Sequence, residues 1–273
     1  MQRVIFPQIE SNLHTHSHYC GHGSGEINDY VTSAVDAGIT LLGFSEHAPF
    51  ADDRYHSTRM AYAKQSNYEA DVRSAQASAT GVTILLGYEC DYHRTYHSYL
   101  AELAQRVDYL IGGVHYLNQS HEADWPVYGS AIDKKALHRY ADRYVAMLQS
   151  GIFLFGVHPD LFCHRYHSWD SETIAISKAI IECAIAEGVA LEINGYGLQK
   201  LVVPTATGRT HGYPNTDFWH LAGQYPDLVA VSSSDAHKPG DIGYGRIETA
   251  ALAKEAGLKI ASYQITGKTL TLV

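Results

Sequence analysis

The stretch Leu-Leu-Gly-Phe-Ser-Glu-His at residues 41–47 carries the pattern that decides the fold. A short apolar run of strand length ends abruptly in side chains that can bind a metal ion. The amphipathic stretch Ile27–Ala37, closed by Gly38, comes just before it and predicts a helix. The same alternation of apolar strand and helix continues from end to end of the chain, which predicts an α/β fold.

Seven strands and seven helices are predicted in this way. The strands are Ile9–Leu13, Leu41–Phe44, Val82–Leu86, Tyr109–Ile111, Phe153–Phe155, Val189–Ile193 and Leu228–Val231. The helices are Ile27–Ala37, Tyr68–Thr80, Tyr96–Arg106, Lys134–Gln149, Ser171–Ala186 with an N-cap-like Ser171, Thr216–Gln224 and Tyr244–Glu255. Ligand-type residues follow nearly every strand, and only a barrel lets every strand end face one centre. We therefore predict a seven-stranded parallel (β/α) barrel and leave open an eighth unit or an open seam.

Composition narrows the class of protein. With 273 residues, 45% of them hydrophobic and 18% charged, the chain is expected to form one globular domain over residues 1–273. A net charge of −9 argues against nucleic-acid binding, which depends on clustered Lys and Arg. No apolar run approaches the roughly 18 residues of a membrane span, and the N-terminus lacks a signal peptide. We expect a cytoplasmic protein with reduced cysteines; nothing indicates its oligomeric state.

Two pairs of residues with the same spacing predict a metal site. His14 and His16 are two apart, so on a strand they point to the same side. Asp235 and His237 repeat this spacing after the last core strand. Closing a barrel makes its first and last strands neighbours, so the two pairs are expected to meet and bind metal.

Five further residues extend the predicted site. Glu89 ends a strand, and its two oxygens can bridge two cations. His115 and His158 follow small residues at matching positions in successive units, His22 lies in a glycine-rich loop, and His47 ends the second strand. The predicted ligands are His14, His16, His22, His47, Glu89, His115, His158, Asp235 and His237.

Other polar residues receive a structural interpretation. Glu46 either orients His47 or forms an ion pair elsewhere, and Cys20 is interpreted as a small buried filler that lies within reach of a metal. The remaining histidines are interpreted as surface or substrate-loop residues: His18, His56, His93, His97, His121, His138, His164, His167, His211 and His220. The scattered tyrosines are expected to pack the barrel and line the site.

Together the clusters resemble the polymerase and histidinol phosphatase (PHP) family. The matching fragments span residues 13 to 237: Leu-His-Thr-His at 13–16, Cys-Gly-His-Gly at 20–23, Gly-Phe-Ser-Glu-His-Ala-Pro at 43–49, Gly-Tyr-Glu at 87–89, Gly-Gly-Val-His at 112–115, Gly-Val-His-Pro-Asp at 156–160, Leu-Glu-Ile-Asn at 191–194 and Ser-Asp-Ala-His at 234–237. Their number and order are specific, whereas each fragment alone is not.

The resemblance is strongest to stand-alone histidinol-phosphate phosphatases and implies a fold and a metal centre. It implies a distorted, TIM-like (β/α)7 barrel with two to three divalent ions (zinc, manganese or iron) at the C-terminal ends of the strands. One ion would be held by His14, His16, Glu89 and Asp235, a second by Glu89, His115 and His158, and a third by His22, His47 and His237.

The implied activity is hydrolysis of a small phosphorylated metabolite, L-histidinol phosphate above all. A metal-bridging hydroxide would attack phosphorus, and Asp235 or His237 would assist the leaving alkoxide as catalytic residues. Arg59, Arg165, Lys200 and Arg209 are the candidate substrate-binding residues. Lys200 lies next to where the resemblance leads us to expect a phosphate-binding arginine, and a lysine offers a point charge instead of a planar fork.

Three alternatives remain open. The chain could act on another phosphorylated substrate, such as a sugar phosphate or a nucleotide. It could be an amidohydrolase-type hydrolase, although Glu89 stands where that class commonly places a bridging lysine. It could also be a metal-binding regulatory module. A serine hydrolase or nucleotide-binding fold is disfavoured because neither a Gly-x-Ser-x-Gly elbow nor a Walker loop is present.

Overall fold

A computed structural model describes residues 3–118, 123–129, 132–200, 202–205 and 208–273. The predicted surface residue His121 lies outside this part of the chain. No helix among the described residues is long and apolar enough to cross a bilayer.

The strands are β1 (Arg3–Phe6), β2 (Ser11–Asn12), β3 (Leu41–His47), β4 (Thr83–Asp91), β5 (Tyr109–Gly113), β6 (Phe155–Gly156), β7 (Ala190–Asn194), β8 (Val202–Thr205), β9 (Gly208–His211), β10 (Val229–Ser233), β11 (Lys259–Ile260), β12 (Tyr263–Thr266) and β13 (Thr269–Leu272). The α-helices are α1 (Ile27–Asp36), α2 (Gln65–Ser78), α3 (His97–Arg106), α4 (Lys134–Leu148), α5 (Ser171–Glu187), α6 (Thr216–Ala222) and α7 (Arg246–Ala256). Every predicted strand and helix overlaps an observed one.

Eight strands form one curved parallel sheet in the order β11-β10-β7-β6-β5-β4-β3-β2. The sheet closes where Thr15, just beyond β2, forms a parallel bridge with Ala236, just beyond β10. The predicted distorted barrel is therefore confirmed. The eighth strand, β11, is only two residues long and pairs with the start of β10, which answers the question left open about an eighth unit.

The interior of the barrel is filled by apolar side chains at its lower, amino-terminal end. A cluster that includes Leu13, Leu41, Leu85 and Phe155 is almost fully buried there. The antiparallel sheet β1-β12-β13 covers this end and adds Tyr263 to the cluster. The lower end is thus closed and apolar, which leaves the upper end for chemistry.

Glycines make room for one large interior side chain. Tyr109 on β5 donates its hydroxyl to the backbone oxygen of Leu13 at 2.8 Å. A Cβ on Gly43 would lie 2.2 Å from the Tyr109 hydroxyl oxygen, and one on Gly87 would lie 2.5 Å from its ring. These glycines are required because the ring crosses the barrel between strands that a larger residue would push apart.

One helix boundary differs from the prediction. The N-cap of α5 is Asp170 and not Ser171: its carboxylate accepts hydrogen bonds from the backbone N–H groups of Glu172 and Thr173. Both residue types suit an N-cap, so the sequence alone did not distinguish the adjacent positions. After residue 201, the described strands β8 and β9 pair in antiparallel orientation.

Candidate metal centre

The nine predicted ligands meet at the upper rim of the barrel. The first and last core strands bring two pairs together, because the backbone N–H of His16 donates to the oxygen of Ala236 at 2.8 Å. His47 ends β3, and Glu89 lies near the end of β4. His115 and His158 each come two residues after their strand. The predicted meeting of the two His/Asp pairs is therefore observed.

The first cluster consists of His14, His16, Glu89 and Asp235. The Nε2 atoms of His14 and His16 both lie 3.4 Å from Glu89 Oε2. The same two nitrogens lie 3.5 Å and 3.2 Å from Asp235 Oδ1. Two ligand atoms each about 2.1 Å from a tetrahedral zinc ion are ~3.4 Å apart, so these distances match the ligand set of one ion.

A second cluster surrounds the other oxygen of Glu89. His158 Nε2 lies 2.9 Å and His115 Nε2 lies 3.3 Å from Glu89 Oε1. His47 Nδ1 lies between the two clusters, 2.8 Å from Oε2, the oxygen that also faces His14 and His16. One carboxylate therefore faces ligand nitrogens with both oxygens, which is the arrangement that a bridging ligand requires.

A third cluster lies around His237. Its Nε2 is 3.0 Å from Nε2 of His22, and its ring stacks on that of His16 with a centroid distance of 4.5 Å. Cys20 has its sulfur in the same neighbourhood, but Sγ donates to the Ser17 carbonyl at 3.2 Å and accepts from the Gly23 N–H at 3.0 Å. The predicted role of Cys20 as a buried filler fits these contacts.

The chemistry of these side chains suits cations. Several of their buried atoms face one another without an aligned hydrogen bond among the described residues, even where, as for His47 Nδ1 and Glu89 Oε2, they are only 2.8 Å apart. These atoms are His14 Nε2, His16 Nε2, His47 Nδ1, Glu89 Oε2 and Asp235 Oδ1. Leaving a buried polar atom unpaired costs about 1–3 kcal/mol. A set of imidazole nitrogens and carboxylate oxygens that face one another in this way indicates a site for a cation, which can accept lone pairs from all of them. Imidazole and carboxylate donors fit zinc, iron and manganese alike.

Carboxylates outside the nine-residue set orient the histidines. Glu192 Oε1 accepts from His14 Nδ1 at 2.7 Å, and Asp91 Oδ2 accepts from His115 Nδ1 at 3.0 Å. An imidazole that donates one N–H to a carboxylate presents its other nitrogen to a metal in a fixed tautomer. In the sequence, Glu192 is part of a motif without an indicated role and Asp91 carries no signal, since partners on different strands have no characteristic spacing.

Glu46 resolves the alternative that the sequence left open. It does not orient His47; it accepts from both the backbone N–H and the hydroxyl of Ser17 at 2.6 Å. Its second oxygen lies 3.8 Å from His16 Nδ1. The two residues are adjacent on β3 and must point to opposite sides of the strand, so Glu46 faces away from His47.

The carboxylates and imidazoles of the centre shift one another's pKa values. Burial acts to raise the pKa of Asp235, but the surrounding imidazoles outweigh it and hold that pKa well below the usual range. Burial acts to lower the pKa of His16, but Asp235 and Glu46 raise it to about 9. Burial and His16 lower the pKa of His237 to about 3. Ionised carboxylates in the interior of the rim favour cations, in agreement with the donor set.

Backbone strain is found at two of the predicted ligands. His158 and Asp235 have φ angles of 33° and 51°, in the left-handed region that side chains other than glycine rarely adopt. Such conformations cost about 1–3 kcal/mol and persist where the surroundings impose them. The strain turns both side chains back over the rim directly after their strands.

A cavity of about 300 Å³ opens beside the centre. Its lining combines the predicted ligands His22, His47, His115, Asp235 and His237 with Thr58, Arg59, Tyr116, Pro126, Tyr128, Tyr196 and Lys200. The prediction that tyrosines line the site agrees with this lining.

The predicted substrate-binding residues fall into two groups. Arg59 and Lys200 line the cavity; Arg59 is 3% exposed and is ion-paired with Asp91. Lys200 places its ammonium 3.9 Å over the ring of Tyr196. Arg165 donates to the backbone oxygen of Tyr128 at 2.6 Å, and Arg209 donates to that of Val202 at 3.2 Å. Neither Arg165 nor Arg209 is among the described residues that line the cavity. A contact with substrate remains a prediction for all four side chains.

Comparison with known proteins agrees with the resemblance seen in the sequence. Residues 12–195 match the family model of the PHP domain. A probable histidinol-phosphatase of Deinococcus radiodurans is 26% identical over 92% of this chain and 95% of its own length. One of Thermotoga maritima is 23% identical over 96% of this chain and 98% of its own length.

Solved structures show the same fold. A histidinol phosphate phosphatase of Lactococcus lactis, in complex with zinc, L-histidinol and phosphate, has a TM-score of 0.72 at 17% identity and covers 95% of this chain and 98% of its own. A putative histidinol phosphatase of Listeria monocytogenes has a TM-score of 0.68 at 18% identity, with 87% of this chain and 99% of its own covered.

Proposed function

Because the chain belongs to the PHP family, we propose that it is a metal-dependent phosphomonoesterase that converts L-histidinol phosphate into L-histidinol and phosphate. The single observation that carries this proposal is the convergence of unpaired buried donor atoms around Glu89 and Asp235 beside an open cavity. The printed names of the related proteins support the choice of substrate.

Two or three ions, of zinc, manganese or iron, fit the three clusters. When bound, such ions lower the pKa of water and neutralise charge on phosphoryl oxygens. His14, His16, Glu89 and Asp235 would hold one ion, and Glu89, His115 and His158 a second. His22, His47 and His237 would hold a third; in the structure His47 lies in a ligand group with His237 and His16, and His22 lies in one with His237 and Cys20. We propose that residues 1–273 act as a single catalytic domain.

The chain's own side chains supply the rest of the chemistry. We assign Lys200 to the phosphoryl group, because it lines the cavity and its ammonium lies 3.9 Å over the Tyr196 ring. Arg59 contributes positive charge to the same wall while holding Asp91. Asp235 and His237 border the cavity and are the candidates for guiding a proton to the leaving oxygen.

A substrate panel with metal analysis tests the proposal. Purified protein loaded with manganese or zinc is assayed for phosphate release from histidinol phosphate, sugar phosphates, nucleotides and an amide substrate. We expect histidinol phosphate to give the highest kcat/KM and elemental analysis to give two to three ions per chain. Activity confined to sugar phosphates or nucleotides would remove this substrate, and amide hydrolysis without phosphate release would contradict phosphatase function altogether.

A further inference from the structure

Two tyrosines beside the metal centre share a hydrogen bond that the reaction outlined above does not use. The hydroxyl oxygens of Tyr128 and Tyr213 lie 2.7 Å apart, and either could be the donor. Tyr213 is 0% exposed, whereas Tyr128 lines the cavity. The direction of this hydrogen bond therefore decides whether a proton is offered to a ligand in the cavity.

Accounting for the two protons fixes the direction. Each phenol has one proton to donate. Among the described residues, no other hydrogen-bond partner is found for the Tyr213 hydroxyl, and Tyr213 is not part of the lining of this cavity. If Tyr128 were the donor, the buried Tyr213 proton would be left unpaired at a cost of about 1–3 kcal/mol. Tyr213 is consequently the donor, and the Tyr128 proton is directed into the cavity.

The position of Tyr128 is fixed on three sides. Its backbone oxygen accepts from Arg165 Nε at 2.6 Å. Its ring packs edge-on against His164, with centroids 5.4 Å apart, and lies nearly parallel to the ring of His115 at 6.5 Å. Tyr213 in turn packs against His158 at 6.2 Å. The pair therefore stands over the cluster around His115 and His158.

On the basis of the proposed function, we propose that Tyr128 is a substrate-contacting residue whose hydroxyl donates a hydrogen bond to a phosphoryl oxygen, and that Tyr213 is the positioning residue that orients this hydroxyl. A phenol has an ordinary pKa of about 10 and therefore remains protonated at neutral pH. A neutral donor adds no charge to the site and suits an oxygen that gains negative charge during phosphoryl transfer. No proton is transferred in this interaction.

Substitution of each tyrosine by phenylalanine tests the proposal, because it removes only the hydroxyl. Tyr128→Phe is expected to lower kcat/KM by about 10- to 100-fold, the usual effect of losing a hydrogen bond to a charged group. The same variant should bind inorganic phosphate more weakly in the metal-loaded protein, as measured by product inhibition. Tyr213→Phe should have a smaller effect, about 3- to 10-fold, since the Tyr128 hydroxyl remains but loses its orientation.

The double variant separates this role from a structural one. If Tyr213 acts only through Tyr128, the Tyr128→Phe/Tyr213→Phe double variant is no less active than Tyr128→Phe alone. Tyr225→Phe, which removes a hydroxyl bonded to Glu182 on the surface, serves as the matched control and should match the unsubstituted protein. Metal content is measured for every variant and should not change.

The outcomes distinguish this inference from the proposed function. If the unsubstituted protein releases phosphate and Tyr128→Phe retains full kcat/KM and phosphate affinity, the tyrosine assignment is overturned while the phosphatase assignment stands. Additive losses in the double variant would overturn the positioning role of Tyr213. If the unsubstituted protein releases no phosphate from any monoester, the proposed function fails, and this inference with it.

Discussion

The two ends of the barrel use the same strands for opposite purposes. At the lower end, Leu41 begins β3 and Leu85 lies in the first half of the neighbouring β4, and both pack into the apolar cluster beside the β1-β12-β13 sheet. At the upper end β3 finishes in His47 and β4 carries Glu89 near its end; both side chains are also buried, but they leave polar atoms without an aligned hydrogen bond. The difference teaches that burial alone says little about a residue's role. The apolar side chains at the lower end have their contacts within the protein, whereas polar atoms at the upper end lack aligned hydrogen-bond partners.

The largest effect is expected at the upper end. Glu89→Gln keeps the shape of the side chain but removes the charge and one of the two ligand oxygens. Since Glu89 faces both the His14/His16 and the His115/His158 groups, phosphate release should fall at least about 10³-fold. Elemental analysis should show loss of bound metal while the circular dichroism spectrum is retained. Full metal content with full activity would show that the rim does not depend on this carboxylate.

A substitution at the lower end should produce the reverse result. Leu41 is fully buried in the apolar cluster, so Leu41→Ala is expected to reduce the free energy of unfolding by about 2–5 kcal/mol. Metal content and kcat/KM below the unfolding temperature should remain close to those of the unsubstituted protein. Urea denaturation and activity measured on the same sample give both quantities. A specific loss of activity without loss of stability would contradict the division between the two ends.

The carboxylates behind the histidines should have an intermediate effect. Glu192→Gln removes the charge that receives the His14 N–H but keeps an acceptor oxygen, and metal affinity is expected to fall about 10- to 100-fold. Competition with a chelator measures that affinity. Glu182→Gln, on the exposed surface near Tyr225, is a matched control that should leave it unchanged. Equal affinities in both variants would show that Glu192 does not orient His14.

The smallest effect is expected from His164, just outside the centre, and is a dependence of the free energy of unfolding on pH. Burial, reinforced by Arg165 and Lys200, lowers the pKa of His164 to about 4 from an ordinary value of 6.5. Between these pH values the unfolded chain binds a proton that the folded protein does not, so stability falls as the pH is lowered through this window. The contribution is at most about 1.4 kcal/mol per pH unit.

Urea denaturation between pH 4 and pH 7.5 measures this contribution. His164→Gln should make the slope of stability against pH shallower than in the unsubstituted protein. His220→Gln, at a more exposed position on α6, should leave the slope as it is. An identical slope in all three proteins would mean that His164 is not the group responsible.

Much of the fold and site could be predicted because it depends on local pattern. The sequence alone shows the alternation of strands and helices and the position of Glu89 at a strand end. It also shows the two-residue spacing of His14 with His16 and of Asp235 with His237. The hydrogen-bonded partners of the candidate ligands could not be predicted from the sequence. Asp91 and Glu192 were missed because they act on His115 and His14 from other strands.

The sequence by itself determined that this chain is an α/β barrel with a rim of histidines and carboxylates, because side-chain periodicity and strand-end positions are properties of the backbone geometry. Only the tertiary structure decided which atoms meet. It placed Thr15 beside Ala236 to close the barrel, turned Glu46 away from His47, and set Tyr213 behind Tyr128. Contacts between residues far apart in the chain depend on how the elements pack, and packing distances are not encoded in any local spacing.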